Sequence, residues 1–374
     1  MRPGLPQAAA FGACPGCTSR PIMEGGSGSH GQKGQEMHAP DAAAPSHPAA
    51  LAYAAIDLGT NNCRMLIGAA DGDGFRVVDS FSRIVRLGEG LHATGRLSPD
   101  AMDRTLAALH ACAARLRRRP VAGLHAIATE ACRRAANGDA FLAAARAETG
   151  LPLRVITTRE EVELALESCA PLMPTDQRRV LLFDIGGGST ELAWVRLEEG
   201  RPLLIGYDSL PIGVATLAEQ FGTQSGTQAG FAAMVTMIAE HLRGFEAVHR
   251  ISAEIAHGGV LLLGTSGTVT TLAGIVLGLT RYRRALVDGV FLTAEEATAA
   301  LGELLMMDAG GRAAHPCIGP EREAFVLPGC AVFAAIHATW PAPRLLVADR
   351  GLREAMLLRQ IRGHGRRRRS PRRN

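Results

Sequence analysis

Two short segments of the chain carry an aspartate, a glycine turn and small polar residues in the same order. The first, Ile56–Asn61, reads IDLGTN, and the second, Phe183–Thr190, reads FDIGGGST. Because glycine lets a turn adopt positive φ, backbone N–H groups in such a turn can approach an anion closely. The pattern predicts a phosphate-binding turn in each segment, formed by Gly59, Thr60 and Asn61 and by Gly186, Gly187, Gly188, Ser189 and Thr190.

The two aspartates that precede these turns are candidate metal ligands. Asp57 and Asp184 lie 127 positions apart, which indicates an internal repeat on the scale of a domain. A carboxylate at each strand end can hold Mg²⁺ or orient its water shell. Two such hairpins facing each other across a cleft would grip a phosphate chain from both sides. The alternative is that each segment is an ordinary glycine-rich hairpin, but a second copy and a third loop argue against it.

The third loop, Gly264–Thr268, reads GTSGT and follows the apolar run Val260–Leu263. A helix is predicted to begin there, and the N-terminus of a helix favours anions. We therefore add Ser266, Gly267 and Thr268 to the predicted phosphate-binding residues.

The elements that must position these loops alternate between strands and helices, which predicts an α/β fold. Ser98 and Pro99 mark a helix start, and Gly150 a helix end. In the first half we predict strands over 52–58, 63–69, 75–85, 124–129 and 153–156, and helices over 98–118, 137–149 and 158–170. In the second half we predict strands over 180–184, 191–197, 260–263 and 344–348, and helices over 230–245, from 269, and over 293–305, 322–338 and 350–361.

The charge of the chain is unevenly placed. The 374 residues suggest two domains, and their net charge is +4. Seven arginines and no acid lie from Arg362 onward, and residues 1–50 sum to zero, so residues 51–361 carry −3. This distribution and the lack of a nucleic-acid-binding motif exclude a basic nucleic-acid-binding body.

Residues 1–50 are rich in Gly, Pro, Ser, Ala and His, and we expect them to be disordered. Met37 is an alternative start of the protein, and the pair Cys14 and Cys17 is interpreted as incidental. The chain has no apolar run of 18 residues, and the short apolar stretch before Cys14 is too short for an export signal. We expect a cytoplasmic protein with reduced cysteines and no membrane partner.

The three loops resemble the phosphate and nucleotide motifs of the actin-like ATPase superfamily. More narrowly, the chain resembles the exopolyphosphatase and guanosine pentaphosphate phosphohydrolase family over about residues 52–361. The narrower resemblance rests on segments in the family's order: Val85–Leu91 with Thr94–Ser98, Ala128–Ala131 with Arg133–Ala135, Ile156–Leu164 and Asp349–Glu354.

This resemblance implies two actin-like (ribonuclease-H-like) domains flanking a cleft, with disordered tails at both termini. We place the domains at residues 51–175 and 176–345, followed by a closing helix over 346–362 and an arginine-rich tail over 363–374. We also expect the chain to be a short form that lacks the additional C-terminal helical domain of larger members.

The resemblance further implies an Mg²⁺-dependent hydrolase that removes terminal phosphate, with paired glutamates in the cleft. By position these are Glu130 and Glu161, one acting as the general base on water. A competing interpretation makes Thr158–Glu161 a capping box, in which the carboxylate only caps a helix. In that case Glu160 is the alternative candidate for the catalytic role.

Arg86 and Arg64 are candidate phosphate contacts, with ordinary surface or core-edge arginines as the alternative. The chain departs from the family at Glu163, where members often carry arginine, and at Ala324, where aspartate is common. The expected substrate is polyphosphate or guanosine pentaphosphate, between which the sequence does not choose, and a homodimer is left open. The alternatives are an ATP-dependent kinase or ATPase of the same superfamily, and an alarmone sensor that binds without hydrolysis.

Overall fold

A computed structural model describes residues 51–72 and 74–369 of the chain, with side chains described through residue 364. The expected disorder of residues 1–50, the pair Cys14 and Cys17, the alternative start Met37 and the end of the tail from 370 lie outside the described residues.

Eleven strands occur among the described residues. They alternate with helices in the way that the apolar periodicity of the sequence indicates. Their bounds are β1 Ala52–Leu58, β2 Asn62–Asp71, β3 Gly74–Ile84, β4 Gly123–Ala128, β5 Leu153–Val155, β6 Arg179–Ile185, β7 Thr190–Glu198, β8 Arg201–Leu210, β9 Val260–Thr265, β10 Phe291–Thr293 and β11 Arg344–Ala348.

The helices of the described part connect these strands and cover their sheets. Ser98 caps the long helix α2 as expected, because its hydroxyl accepts a hydrogen bond from the N–H of Ala101. The bounds are α1 Leu91–Thr94, α2 Pro99–Arg118, α3 Glu130–Arg134, α4 Gly138–Thr149, α5 Thr158–Cys169, α6 Val214–Phe221, α7 Gln228–His249, α8 Ile251–Ala256, α9 Gly267–Val276, α10 Arg284–Val287, α11 Ala294–Met306, α12 Ala309–Ala314, α13 Glu323–Thr339 and α14 Leu352–Arg369.

The strands form two sheets with the same internal plan. The first sheet has the order β3-β2-β1-β4-β5, and the second has the order β10-β11-β9-β6-β7-β8. In each sheet an antiparallel hairpin, β1–β2 or β6–β7, continues into a parallel pairing with β4 or β9. Strands β1, β2, β3, β4 and β5 therefore correspond to β6, β7, β8, β9 and β11, which confirms the internal repeat as a structural repeat.

Successive side chains along each strand face opposite sides of its sheet, and this divides the apolar core into three layers. On β1, Ile56 and Leu58 pack into an outer cluster with α2 and α4, whereas Tyr53 and Ala55 face the opposite way. That inner cluster joins the two sheets, because it also contains residues of β6, β7, β9 and β11 and of helices α5 and α14. Helices α5 and α14 thus lie between the sheets, and α7, α9 and α13 cover the outer face of the second sheet.

The two glycine turns that follow β1 and β6 touch each other across the two sheets. A Cβ atom at Gly187 would lie 3.1 Å from Cβ of Asn61, and one at Gly188 would collide with the Thr60 hydroxyl. The absence of side chains at Gly187 and Gly188 therefore permits this approach. The hairpins face each other, as the sequence predicts.

Several elements were not predicted from the sequence. Strand β8 was missed, although it corresponds to β3 and the internal repeat could have revealed it, and so was the three-residue strand β10. The short helices α1, α3, α6, α8, α10 and α12 were not predicted either. Helix α14 continues through Arg369, beyond the end near residue 361 that the sequence predicts.

The fold is α/β, with two actin-like domains on either side of a cleft. The domain boundaries near residues 175 and 345 stay predictions. No helix within the described ranges is long and apolar enough to cross a membrane.

The contact between the two turns can be tested by Gly188→Ala. The added methyl group must displace Thr60, a stiff β-branched residue, so we expect a loss of about 1–3 kcal/mol in the free energy of unfolding. Gly244→Ala is the matched control, because Gly244 lies in the interior of α7 with open space around it. It should stabilise the protein by about 0.5–1 kcal/mol.

Denaturant unfolding of both variants measures these effects. Adding Thr60→Ala to Gly188→Ala should recover part of the loss. Equal stability of Gly188→Ala and the wild type would show that the turns do not touch.

Candidate active site

A cavity of about 1130 Å³ lies where the turns of the two sheets meet. All three predicted loops reach it, and so do the two aspartates and Glu161. Nine of the predicted phosphate-binding residues line it: Gly59, Thr60, Asn61, Gly186, Gly187, Gly188, Ser266, Gly267 and Thr268.

Ser189 and Thr190, also predicted to bind phosphate, do not line the cavity. The Thr190 hydroxyl donates to the carbonyl oxygen of Ile212 at 2.7 Å, and the Ser189 hydroxyl donates to Glu191 Oε1 at 2.6 Å. Both side chains are buried. The turn therefore uses these hydroxyls to hold itself in place, which corrects the expectation that they face a phosphate.

Arg86 lies beside the main cavity rather than in it. It is exposed and lines a depression of about 360 Å³ together with Glu89 and Arg104. Ile84 and Glu321 border both spaces, so this depression adjoins the cleft. Arg64 does line the main cavity, as expected for a phosphate contact.

Ser266 caps helix α9 at the third loop. Its hydroxyl accepts hydrogen bonds from the N–H groups of Thr268, at 3.1 Å, and Val269, at 3.4 Å. Two of the N–H groups at this helix start are thus already used by the protein. An anion here would rely on the remaining groups of the loop.

The capping-box interpretation of Glu161 is wrong. The helix cap is Thr157, whose hydroxyl accepts from the N–H of Glu160, so α5 begins one residue earlier than a box at Thr158 requires. Glu161 then lies beyond the capping position, and its carboxylate turns to Arg133, with Nη1 donating to Oε2 at 2.9 Å.

The two neighbouring acids, Glu160 and Glu163, form ion pairs outside the cavity. Glu160 forms an ion pair with Arg154, and Glu163 forms one with Arg159 at 2.9 Å. Neither lines the cavity. Glu160 is therefore not a substitute for Glu161.

Glu130 does not reach the cavity either, which corrects its predicted place in the cleft. It begins helix α3, and Arg133, one turn later, donates from Nη2 to Glu130 Oε2 at 2.7 Å. Arg134 approaches the other oxygen at 3.7 Å. Arg133 bridges Glu130 and Glu161, so Glu130 is joined to the cavity glutamate through this arginine.

The second glutamate of the cavity is Glu191, which the sequence reasoning missed as a site residue. It is buried, lines the cavity and lies opposite Asp184 in the β6–β7 ladder. Its Oε1 accepts hydrogen bonds from the hydroxyls of Ser189, at 2.6 Å, and Ser209, at 2.9 Å. The signal was available, because residues that flank a tight hairpin turn face each other on the same side of the sheet.

Each cavity glutamate keeps one oxygen for a ligand. Glu161 is bound through Oε2 and Glu191 through Oε1. Within the described residues neither Glu161 Oε1 nor Glu191 Oε2 has a hydrogen-bond partner. Both oxygens remain accessible from the cavity. These free oxygens are suited to accept protons from one water or to orient it.

The carboxylates of the cavity raise one another's pKa. Burial, followed by the charge of Asp184, raises the pKa of Glu191 to about 7. Burial, followed by the charge of Glu161, raises the pKa of Asp184 to about 7. Burial and Glu191 hold the pKa of Glu161 well above its usual range, against the lowering effect of Arg133, and burial also raises the pKa of Asp57.

The side chains of Asp57, Asp184 and Asn61 provide some, but not all, of the ligands that a divalent cation needs. The carboxylates of Asp57 and Asp184 accept no side-chain hydrogen bond from the described residues, and Asn61 Oδ1 is buried without a partner there. No three acidic, histidine or cysteine side chains in the described part of the chain lie close enough to form a metal site. Mg²⁺ usually keeps several waters and binds through one or two carboxylates plus substrate phosphates, which this donor set allows.

Five arginines give the cavity its positive charge. Arg284 is paired with Glu354 at 3.1 Å, and Arg350 with Asp288 at 3.1 Å. Arg322 donates to backbone carbonyl oxygens. The two that form no ion pair or hydrogen bond with the described residues are Arg64 and Arg353.

The raised pKa of Glu191 predicts that this side chain destabilises the free protein at alkaline pH. Its folded-state pKa, about 7, lies above the ordinary 4.5, so the penalty is small near pH 4.5 and complete above pH 7. Glu191→Gln should raise the free energy of unfolding by about 3 kcal/mol at pH 8, with little effect near pH 4.5.

Thermal unfolding in a chelator at both pH values measures this gain. Glu198→Gln is the control, because Glu198 is exposed near the end of the same strand. If Glu191→Gln were as stable as the wild type at pH 8, the burial of an unfavourable charge at this position would be disproved.

Comparison with known proteins agrees with this architecture. An exopolyphosphatase-like protein of known structure is 28% identical, with a TM-score of 0.74 over 86% of this chain and 100% of that one. A Ppx/GppA family member from Aquifex aeolicus is 26% identical, with a TM-score of 0.69 over 84% of this chain and 98% of its own. An exopolyphosphatase from Cytophaga hutchinsonii shares the fold at 22% identity, with a TM-score of 0.74 over 83% and 98% of the two chains.

The sequence signature of the Ppx/GppA phosphatase family matches residues 66–364, which is most of the described chain. The cleft of two facing glycine turns and two buried glutamates lies within or directly beside this match. The chain belongs to the Ppx/GppA phosphatase family.

Proposed function

We propose that this chain is an Mg²⁺-dependent phosphoanhydride hydrolase that releases terminal orthophosphate from polyphosphate or guanosine pentaphosphate. The observation that carries the proposal is the pair Glu161 and Glu191, buried in one cavity, each with a free oxygen beside two glycine turns. Family membership and the similarity to exopolyphosphatase-like proteins support the same class of reaction.

The glycine turns would hold the terminal phosphate between them. The N–H groups of Gly59 and Gly186 close their own turns by donating to the carbonyl oxygens of Asn62 and Ser189, each at 2.9 Å. The remaining N–H groups, of Thr60 and Asn61 and of Gly187 and Gly188, belong to turns of opposite sheets, so they can neutralise oxygens on two sides of the phosphorus. Such positioning accounts for most of the catalysis in phosphoryl transfer, where the protein makes little covalent chemistry.

Glu161 would take the proton of the attacking water, since burial raises its pKa well above the usual range and one of its oxygens has no partner. Its free Oε1 accepts this proton while Arg133 holds Oε2. Glu191, fixed by two serine hydroxyls, would orient the water. The water oxygen bonds to the terminal phosphorus, the bridging P–O bond breaks, and the shortened chain leaves with its electron pair.

Asp57 and Asp184 are the residues that would hold the cation. When bound, Mg²⁺ would supply positive charge to the phosphate oxygens and to the leaving oxygen. It would also lower the raised pKa of the surrounding carboxyls, because an adjacent cation favours their ionised forms. The homodimer and the cytoplasmic location stay predictions.

The proposal predicts that Glu161→Gln lowers kcat for phosphate release by about 10²–10⁴-fold, as expected when a general base is removed. Orthophosphate release from long polyphosphate and from guanosine pentaphosphate, measured side by side with Mg²⁺, tests it. Glu163→Gln is the matched control, since Glu163 lies two residues away and pairs with Arg159 outside the cavity. It should leave kcat unchanged.

The same assay separates the alternative functions. Formation of ADP from ATP, without phosphate release from either proposed substrate, would indicate a kinase or ATPase. Tight binding of guanosine pentaphosphate without phosphate release by the wild type would indicate a sensor. An unchanged kcat in Glu161→Gln would disprove the catalytic assignment.

A further inference from the structure

The internal repeat places side chains of opposite charge at equivalent positions of the cleft. In the first hairpin Asp57 faces Arg64, seven residues later, and in the second Asp184 faces Glu191, also seven residues later. Arg64 on β2 is therefore the structural counterpart of Glu191 on β7. One hairpin presents a cation where the other presents the carboxylate proposed to orient water.

The helices between the sheets also bring side chains of opposite charge to the cleft. Helix α5 follows β5, and α14 follows β11, the corresponding strand of the second sheet. Glu161 is the fourth residue of α5 and Arg353 the second residue of α14, and both side chains reach the cavity. The two positions differ by two residues, so they are not equivalent in the repeat, but the start of one helix presents an acid to the cavity and the start of the other presents a cation.

Arg353 and Arg64 form no ion pair or hydrogen bond with the described residues, whereas the other arginines of the cavity are held by Glu354, Asp288 or backbone carbonyls. Arg353 is half-buried, and burial lowers its pKa against the raising effect of Glu354. Asp57 faces Arg64 in the ladder, and both cations act to lower the pKa of its carboxyl. One carboxylate shared by two cations leaves room for a further anion between them.

The charge pattern also indicates which part of the cleft this anion would occupy. Arg64 faces Asp57 in the β1–β2 ladder, whereas Glu191 faces Asp184 in the β6–β7 ladder. Arg353 acts on the Asp57 carboxylate together with Arg64. The arginine pair therefore lies on the Asp57 side of the cavity, and Glu191 lies in the other hairpin.

From this arrangement we infer that Arg353, opposite Arg64, binds the phosphate group adjacent to the one that is cleaved. Planar guanidinium groups on two walls can each form paired hydrogen bonds with one phosphate. The acidic half of the repeat would act on the water and the terminal phosphate, and the basic half would hold the next phosphate of the chain. This inference rests on the proposed function for the identity of the ligand as a linear phosphoanhydride.

Calorimetric binding of tripolyphosphate and of orthophosphate tests the inference. Titrations are made with Mg²⁺ in the Glu161→Gln background, so that turnover does not interfere. Arg353→Gln should weaken tripolyphosphate binding about ten-fold or more, the loss expected for hydrogen bonds to a charged group, and leave orthophosphate binding unchanged. Arg353→Lys should recover part of the loss, because the charge remains while the paired geometry is lost.

Arg359→Gln is the matched control on the same helix. Arg359 pairs with Glu167 at 2.7 Å outside the cavity, so its loss should not change either affinity. Unchanged tripolyphosphate binding in Arg353→Gln would overturn the inference. An equal loss for orthophosphate would also overturn it, because Arg353 would then act on Asp57 or on the terminal phosphate.

The proposed function can fail separately from this inference. Phosphate release by the wild-type chain is measured on the same preparations. A wild type that binds tripolyphosphate through Arg353 but releases no phosphate would refute the hydrolase and keep the arginine pair. If the wild type releases phosphate but Arg353→Gln binds tripolyphosphate normally, the hydrolase proposal stands and the role of the arginine pair is refuted.

Discussion

The structure depends on holding like charges together at the place where two sheets meet. Strands β1 and β6 each end in an aspartate, Glu191 returns beside one of them on β7, and Glu161 enters from α5. Mutual repulsion and burial raise the pKa of these carboxyls, to about 7 for Asp184 and Glu191. The apolar cluster between the sheets resists the separation that repulsion would favour, and Arg133 offsets part of the charge. A cation and a phosphate chain would offset the rest.

Duplication of one hairpin plan accounts for how such a cleft could carry two kinds of chemistry. Both copies keep the aspartate and the glycine turn, and in the proposed function both bring N–H groups and a carboxylate to the same phosphate. They differ at the residue seven positions later, which is Arg64 in one copy and Glu191 in the other. The two hairpins share one register, so the proposal assigns attraction of the substrate to one copy and orientation of water to the other through the sign of a single side chain.

Local features of the sequence predicted most of what is local in the structure. The apolar strands, the glycine turns, the two aspartates and the third loop were placed correctly, since each depends on a few consecutive residues and their turn chemistry. Glu130 and Glu161 look alike in sequence, as acids at helix starts, and only the packing shows that both bind Arg133 and that only Glu161 lines the cavity. The cap of α5 was misplaced by one residue because Thr157 and Thr158 are both good caps. Arg353 could not be assigned from sequence, since the charges of Asp57 and Arg64 that act on it lie on strands almost 300 residues earlier.

The net charge of −3 over residues 51–361 at first argues against a polyanion substrate. The proposed function accounts for this, because the positive groups that would bind a phosphate are confined to the turns and the arginines of one cavity, whose carboxylates would take a cation. The central claim is that the cleft binds a cation and a phosphate group together rather than either one alone. Calorimetric binding of methylenediphosphonate, which is not hydrolysed, with and without Mg²⁺ tests this claim most directly. We predict at least ten-fold tighter binding with Mg²⁺ in the wild type and no such gain in Asp184→Asn. Equal affinity with and without Mg²⁺, or the same gain in Asp184→Asn, would contradict it.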